Sequence, residues 1–221
     1  QPAWILPLRQ AGLARFADQG FPTLRHEDWR FTNLAPLAAL PFRPALDAQT
    51  DRVSPADVAR LPLAGMTERL LVFIDGHYAP GLSRPWASTA QVRVQSLSET
   101  LRADGTWLDG KMAQVLDGQD AAFRALNDAY FTDGVVVQVR AGASVSEPIH
   151  ALYVSTGDEA GRASHPRNLV VAESNSQVTV LEQYVSLGAA PTLTNVVTQL
   201  VAGEGARVEH VRFQDEGQEA F

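Results

Sequence analysis

The side chains best suited to acid–base or metal chemistry here are five histidines: His26, His77, His150, His165 and His210. No two of them stand at the His-Glu-x-x-His spacing that puts both rings on one helix face. His150 and His210 sit in runs rich in β-branched residues, and so do Glu182 and Glu209. If such strands stack as coils, equivalent positions form ladders. A His/Glu pair lining the interior would then bind a metal or relay protons. The simpler reading places these four on the solvent-facing side of alternating strands. Serine hydrolase chemistry lacks its Gly-x-Ser-x-Gly elbow. The glycines spell neither a P-loop nor a dinucleotide fingerprint, and Gly203-Glu204-Gly205 reads as a turn. From the sequence, no catalytic, cofactor-binding or metal-ligating residue is assigned.

Composition narrows the classes further. With 221 residues and 45% hydrophobic content, the chain can bury a substantial core. It has no cysteine, so it holds no disulfide, zinc finger or thiolate-ligated iron–sulfur cluster of its own. A net charge of −7 argues against nucleic-acid or anionic-membrane binding. Lys111 is the single lysine among 18 basic residues, a bias attributable to codon usage. The longest apolar run, Leu70 to Ile74, is too short to span a bilayer. The N-terminus lacks the basic and apolar regions of a signal peptide, so a cytoplasmic location is expected.

The elements that must position any site divide near residue 133. Residues 1–133 read as a mixed α/β region, and residues 134–221 as repetitive β-structure. A helix is expected from Gln1 to Gln19, with Leu6, Leu13, Phe16 and Ala17 on one face and Gly20 ending it. The segment Arg25 to Leu34 mixes charge with aromatics. Its simpler reading has Trp29 and Phe31 as anchors and Arg25 and Glu27 satisfying one another or a nearby backbone group. Ser54-Pro55-Ala56-Asp57 starts a short helix. Leu70 to Ile74 is a buried strand that turns at Asp75-Gly76. Gln91 to Val94 is a further strand. Leu97 to Leu116 leans helical between glycine breaks, and Asp120 to Phe131 is a stronger helix.

Beyond residue 134 the strands are Val135–Val139, Ile149–Val154, Asn168–Ala172, Gln177–Val185, Leu193–Val201 and Arg207–Phe213. Small-residue turns precede Val145, Val178 and Val208, which are spaced 33 and 30 positions apart. That period, with two strand-like runs per unit, fits stacked coils. An antiparallel sandwich is the open alternative. The chain stops at Phe221 just beyond a strand and reads as a fragment of a longer protein, with an incomplete β core.

Several motifs in order carry a resemblance. They are Phe21-Pro22-Thr23 followed by Arg25-His26-Glu27-Asp28-Trp29-Arg30-Phe31-Thr32-Asn33-Leu34, then Val72 to Tyr78, and Leu126 to Gly134. Glu147-Pro148-Ile149-His150, His165-Pro166-Arg167-Asn168 and Val208 to Val211 complete the series. Together they resemble the SufD-like members of the SufB/SufD family of iron–sulfur cluster assembly scaffolds. The resemblance implies a mainly β fold: a right-handed parallel β-helix behind a largely helical N-terminal region. It implies a non-enzymatic scaffold working with SufB and SufC homologues, and a homodimer is a further expectation. The iron–sulfur cluster would be assembled by the complex and not bound by this fragment. SufB-like chains are expected to carry cysteines, which this one lacks. A carbohydrate-active β-helix enzyme such as a polysaccharide lyase would want clustered aspartates, yet only Asp158 and Asp215 follow Asp133. A hexapeptide-repeat acyltransferase would need a six-residue period that does not appear.

Overall fold

A computed structural model of the chain describes residues 2–112 and 121–221. In order, the regular elements are α1 (Ile5–Gln19), α2 (Ala35–Ala39), β1 (Arg43–Pro44), α3 (Pro55–Arg60), β2 (Leu70–Ile74) and β3 (His77–Tyr78). Next come β4 (Val92–Ser96), α4 (Leu97–Asp104), α5 (Ala121–Tyr130), β5 (Val135–Val139), β6 (Ile149–Ser155) and β7 (Arg162–Ser164). Last are β8 (Arg167–Ala172), β9 (Gln177–Ser186), β10 (Thr192–Thr194), β11 (Val197–Ala202) and β12 (Arg207–Asp215).

The strands form three sheets, ordered β1-β7-β10, β11-β8-β5-β4 and β12-β9-β6-β2-β3. From β5 onward the chain visits the four-, five- and three-stranded sheets in rotation and then starts again. Pairs joining successive rounds are parallel: β5 to β8 to β11, β6 to β9 to β12, and β7 to β10. The parallel register departs from the hairpin pattern of an antiparallel sandwich. The valine repeat lies in this register. Ser144 bridges Gln177, and Val178 pairs with Val208. The N-terminal region also contributes strands: β2 pairs parallel with β6, β1 pairs parallel with β7, and β4 pairs antiparallel with β5. All three sheets therefore run across the position near residue 133 where the sequence changes character.

Alternation along each strand divides the apolar residues between an inner and an outer layer. One core cluster joins Leu71, Phe73, Val135, Val137, Val139, Ala151, Tyr153, Val170, Val180 and Tyr184 between the sheets. The opposite faces are covered from the N-terminal region. Val136, Leu169 and Val171 pack under Ile5, Leu97, Leu101 and Leu108, while Leu152 and Val154 pack with Val53 and Val58. Each fully buried Val, Leu or Ile side chain contributes roughly 1.5–3 kcal/mol over an exposed one.

Helix α1 differs from the sequence expectation in its buried face. Leu6 and Leu13 are exposed, at 61% and 48%, whereas Ile5 and Gly12 are buried. The reason is close packing against α5. A Cβ on Gly12 would lie 2.7 Å from the Ala125 carbonyl oxygen and 2.8 Å from the Ala129 nitrogen. Polar groups complete this contact. Arg9 donates to the Ala129 and Phe131 carbonyls at 3.0 and 2.7 Å, and Arg15 pairs with Asp128 at 2.6 Å. Asp128 also pairs at 3.0 Å with the fully buried Arg167 of β8, which ties the helices to the sheets. Burial pulls the Arg167 guanidinium down to about 10 even with Asp128 beside it, so it remains a cation at neutral pH.

Other local expectations divide. Ser54 and Asp57 form a capping box at the start of α3. Trp29 is an anchor, stacked on Phe123 at 5.4 Å. Phe31 is not one: it is 87% exposed, and the Arg30 guanidinium lies over its ring. Glu27 pairs with Arg30 at 2.6 Å instead of Arg25, because the intervening 3-10 turn brings i and i+3 together. The run Leu193–Val201 is two strands in two sheets, broken at Asn195-Val196. The same corner precedes β8 at His165-Pro166, and Asn195 Nδ2 lies 3.1 Å from His165 Nδ1. The helical expectation for Leu97 to Leu116 holds over α4, ends near Gly105, and beyond Met112 lies outside the described residues. Asp120, the expected start of the next helix, lies outside them too.

Candidate functional site

Strand β9 places Val180, Glu182 and Tyr184 on the inner face and Leu181, Gln183 and Val185 on the outer. A carboxylate on the inner face must find donors or lose its charge. Glu182 finds them on three neighbouring strands. Thr198 Oγ1 of β11 donates to Oε1 at 2.6 Å, and Asn168 Nδ2 of β8 donates to the same oxygen at 3.1 Å. The Tyr184 hydroxyl donates to Oε2 at 2.6 Å. From β12, His210 Nε2 approaches Oε1 to 3.1 Å and Arg212 approaches Oε2 to 3.8 Å. The His210 contact is close but lacks the alignment of a well-directed hydrogen bond.

Register explains why these residues meet. Arg212 is the direct partner of Glu182, and Thr198 is the direct partner of Asn168. Asn168 extends the cluster inward. Its Oδ1 accepts from the Tyr153 hydroxyl at 2.5 Å and the Val135 backbone at 2.9 Å. Phe73, Tyr153 and Tyr184 stack as a column, with ring centroids 4.8 and 4.9 Å apart. The Arg212 guanidinium lies 5.5 Å from the Tyr184 centroid.

The electrostatics follow from burial. Glu182 has 0% side-chain exposure. Burial alone would raise its pKa. The His210 ring, Thr198 and Tyr184 outweigh this and hold the carboxyl below its ordinary value. Burial and the Glu182 charge push both Tyr153 and Tyr184 well above the usual phenol value, so both remain neutral donors. The cluster thus fixes an ionised carboxylate behind a histidine that is 24% exposed. Such a pair can orient a ring and move a proton. Of the four residues singled out from the sequence, Glu182 and His210 come together. His150 lies on the outer face, 2.9 Å from Gln183 Oε1 and 3.3 Å from Thr67 Oγ1, and burial lowers its pKa. Glu209 is exposed and meets Thr179 at 3.2 Å. Among the described residues, no group of three or more His, Cys, Asp or Glu is placed to hold a metal ion. Tyr184, Asn168, Thr198 and Arg212 were missed by sequence reasoning. The available signal was polar residues at inward positions of strands one period apart.

Two family models match the chain in tandem. The first, described as the SufBD protein N-terminal region, covers residues 2–151. The second, described as the SufBD core domain of SUF system FeS cluster assembly, covers residues 153–221. The chain belongs to the SufBD family. An iron–sulfur cluster assembly SufBD family protein of Synechocystis is 32% identical to this SufBD chain over 221 residues, covering 96% of the chain and 48% of that protein. The iron–sulfur cluster assembly protein SufD of Escherichia coli is 24% identical over 214 residues, covering 93% of the chain and 45% of that protein. SufD of Bacillus subtilis is 24% identical over 222 residues, covering 95% and 48%. The chain therefore spans about half the length of the relatives it matches. The two family regions meet inside β6, a strand that pairs with both β2 and β9. No helix among the described residues is long and apolar enough to cross a membrane.

Proposed function

We propose that this SufBD chain acts as a non-catalytic scaffold subunit in SUF iron–sulfur cluster assembly, working with homologues of SufB and of the ATPase SufC. The observation that carries the reading is the ordered match of both SufBD regions over residues 2–151 and 153–221. Rotation of the chain through three sheets, with parallel pairing between successive rounds, supports a right-handed parallel β-helix as the scaffold's core. A β-helix offers a long rigid surface for partner subunits, which suits a scaffold. The cluster is cargo assembled by the complex, and this cysteine-free chain supplies no thiolate to it. A cytoplasmic location and the absence of nucleic-acid partners accord with a net charge of −7.

The test is a pull-down of the full-length protein co-expressed with SufB and SufC homologues, with the 221-residue chain alongside. Capture of both homologues by the full-length protein supports the reading. Capture of neither refutes it, and size-exclusion chromatography with light scattering of the isolated protein separates a homodimer from a monomer.

A further inference from the structure

A second polar cluster lies on the opposite side of the sheets from Glu182. On the outer face of the four-stranded sheet, Arg93 of β4 pairs with Gln138 of β5, which pairs in turn with Val171 of β8. This cross-strand row lines a cleft of about 480 Å³ together with Asp104, Trp107, Lys111, Arg140 and Glu173. Three cations and two carboxylates, Asp104 and Glu173, line this cleft, an excess of one positive charge in a chain whose net charge is −7. The two carboxylates at the cleft are already engaged. Glu173 accepts from Arg140 at 2.8 Å, from the Ala141 backbone at 3.2 Å and from Gln138 at 3.3 Å. Asp104 Oδ1 accepts from the Thr106 hydroxyl at 2.5 Å and its backbone at 3.2 Å. The Arg93 guanidinium lies 5.5 Å from the Trp107 ring centroid, which orients it without using its N–H donors. Among the described residues, neither Arg93 nor Lys111 has a side-chain hydrogen bond, although the Thr106 hydrogen bonds and, behind them, the Arg93 charge hold the Asp104 carboxyl below its ordinary value. Lys111 is also the single lysine in a chain that otherwise uses arginine throughout.

We propose that this cleft binds a small phosphate-bearing anion, with Arg93 and Lys111 as its principal donors and Arg140 as flanking charge. A planar guanidinium held against an aromatic ring and a compact ammonium supply complementary donors to phosphate oxygens. The inference is independent of the scaffold reading, because it is argued from the side chains of this cleft alone.

Lys111 itself supplies the readout at the cleft. The full-length protein is treated with an amine-selective acetylating reagent, and peptide mass spectrometry follows Lys111 in chloride, inorganic phosphate or glycerol phosphate at matched ionic strength. Inorganic phosphate or glycerol phosphate slows Lys111 acetylation several-fold relative to chloride, and in Arg93→Gln the ratio of chloride to phosphate rates falls to about one. Protection by glycerol phosphate alone assigns the cleft to monoesters, and protection by both assigns it to the phosphate group itself. Equal rates in all three salts overturn the proposal, as does protection that persists in Arg93→Gln. A second readout uses Lys111→Gln, which alters a partly exposed side chain and leaves the core intact. The phosphorus resonance line of inorganic phosphate broadens with the parent and not with this variant. Equal broadening with both also overturns the proposal.

Discussion

His165 should make the fold sensitive to mild acid. It stands at the corner between β7 and β8, is buried, and packs beside the Tyr130 ring at 5.8 Å. Asn195 Nδ2, which also donates to the Phe123 carbonyl at 2.8 Å, lies 3.1 Å from His165 Nδ1, so that ring nitrogen is an acceptor and carries no proton. Burial lowers the His165 pKa from 6.5 to about 4. The unfolded chain takes up this proton first, so stability is fully present above pH 6.5 and declines as pH falls towards 4. The shift corresponds to roughly 3 kcal/mol in all, of which about 2 kcal/mol is lost by about pH 5. Urea unfolding at neutral pH and near pH 5, for the parent and His165→Gln, measures it. The glutamine amide can still accept from Asn195 but cannot titrate, so the variant should lose about 2 kcal/mol less than the parent over this interval. His150 is lowered by burial in the same direction and leaves a residual slope in both proteins. Equal losses in parent and variant would refute the argument that a neutral, buried ring at this corner underlies the acid sensitivity.

Three further expectations concern stability. Gly12→Ala drives a methyl group into the Ala125 carbonyl and should cost about 1–3 kcal/mol in thermal or urea unfolding, whereas Leu13→Ala on the exposed face should stay within about 0.5 kcal/mol. Glu182→Ala strips the inner donors of their acceptor and should cost about 3–5 kcal/mol, measured by urea unfolding at neutral pH. Phe31→Ala should change stability by no more than about 0.5 kcal/mol, since its ring is 87% exposed. A larger loss would mean that the ring packs inward.

The sequence made the longer strands legible and left the corners obscure. Leu70–Ile74, Val135–Val139 and Gln177–Val185 are dense in β-branched and large apolar residues, and each is a strand. The third sheet went unseen because β1, β7 and β10 have only two or three residues each, too few for an alternation to register. The merged reading of Leu193–Val201 has the same origin, since the polar corner at Asn195 resembles one more alternation. On α1 the apolar residues at Leu6 and Leu13 gave a misleading face, because close packing on α5 selects for the absence of a side chain at Gly12. The Glu182 cluster was half visible. The pairing of Glu182 with His210 was an available alternative, but the Tyr, Asn and Thr donors come from positions whose facing depends on a register that only the folded sheets reveal.

The column of Phe73, Tyr153 and Tyr184 gives the molecule an internal optical reporter. Its ring spacings of 4.8 and 4.9 Å match the separation of neighbouring strands, so one ring sits on each successive layer. Nearly parallel rings, at 13° and 12°, held in an apolar interior are fixed chromophores in a chiral setting. Their near-ultraviolet circular dichroism, separated from that of the four tryptophans by the difference spectrum against Tyr153→Leu, reads the contact between layers. Strand content read in the far ultraviolet would persist if the layers slid apart, whereas the tyrosine signal would not. The two spectra therefore separate loss of stacking from loss of strands in this protein without any added label.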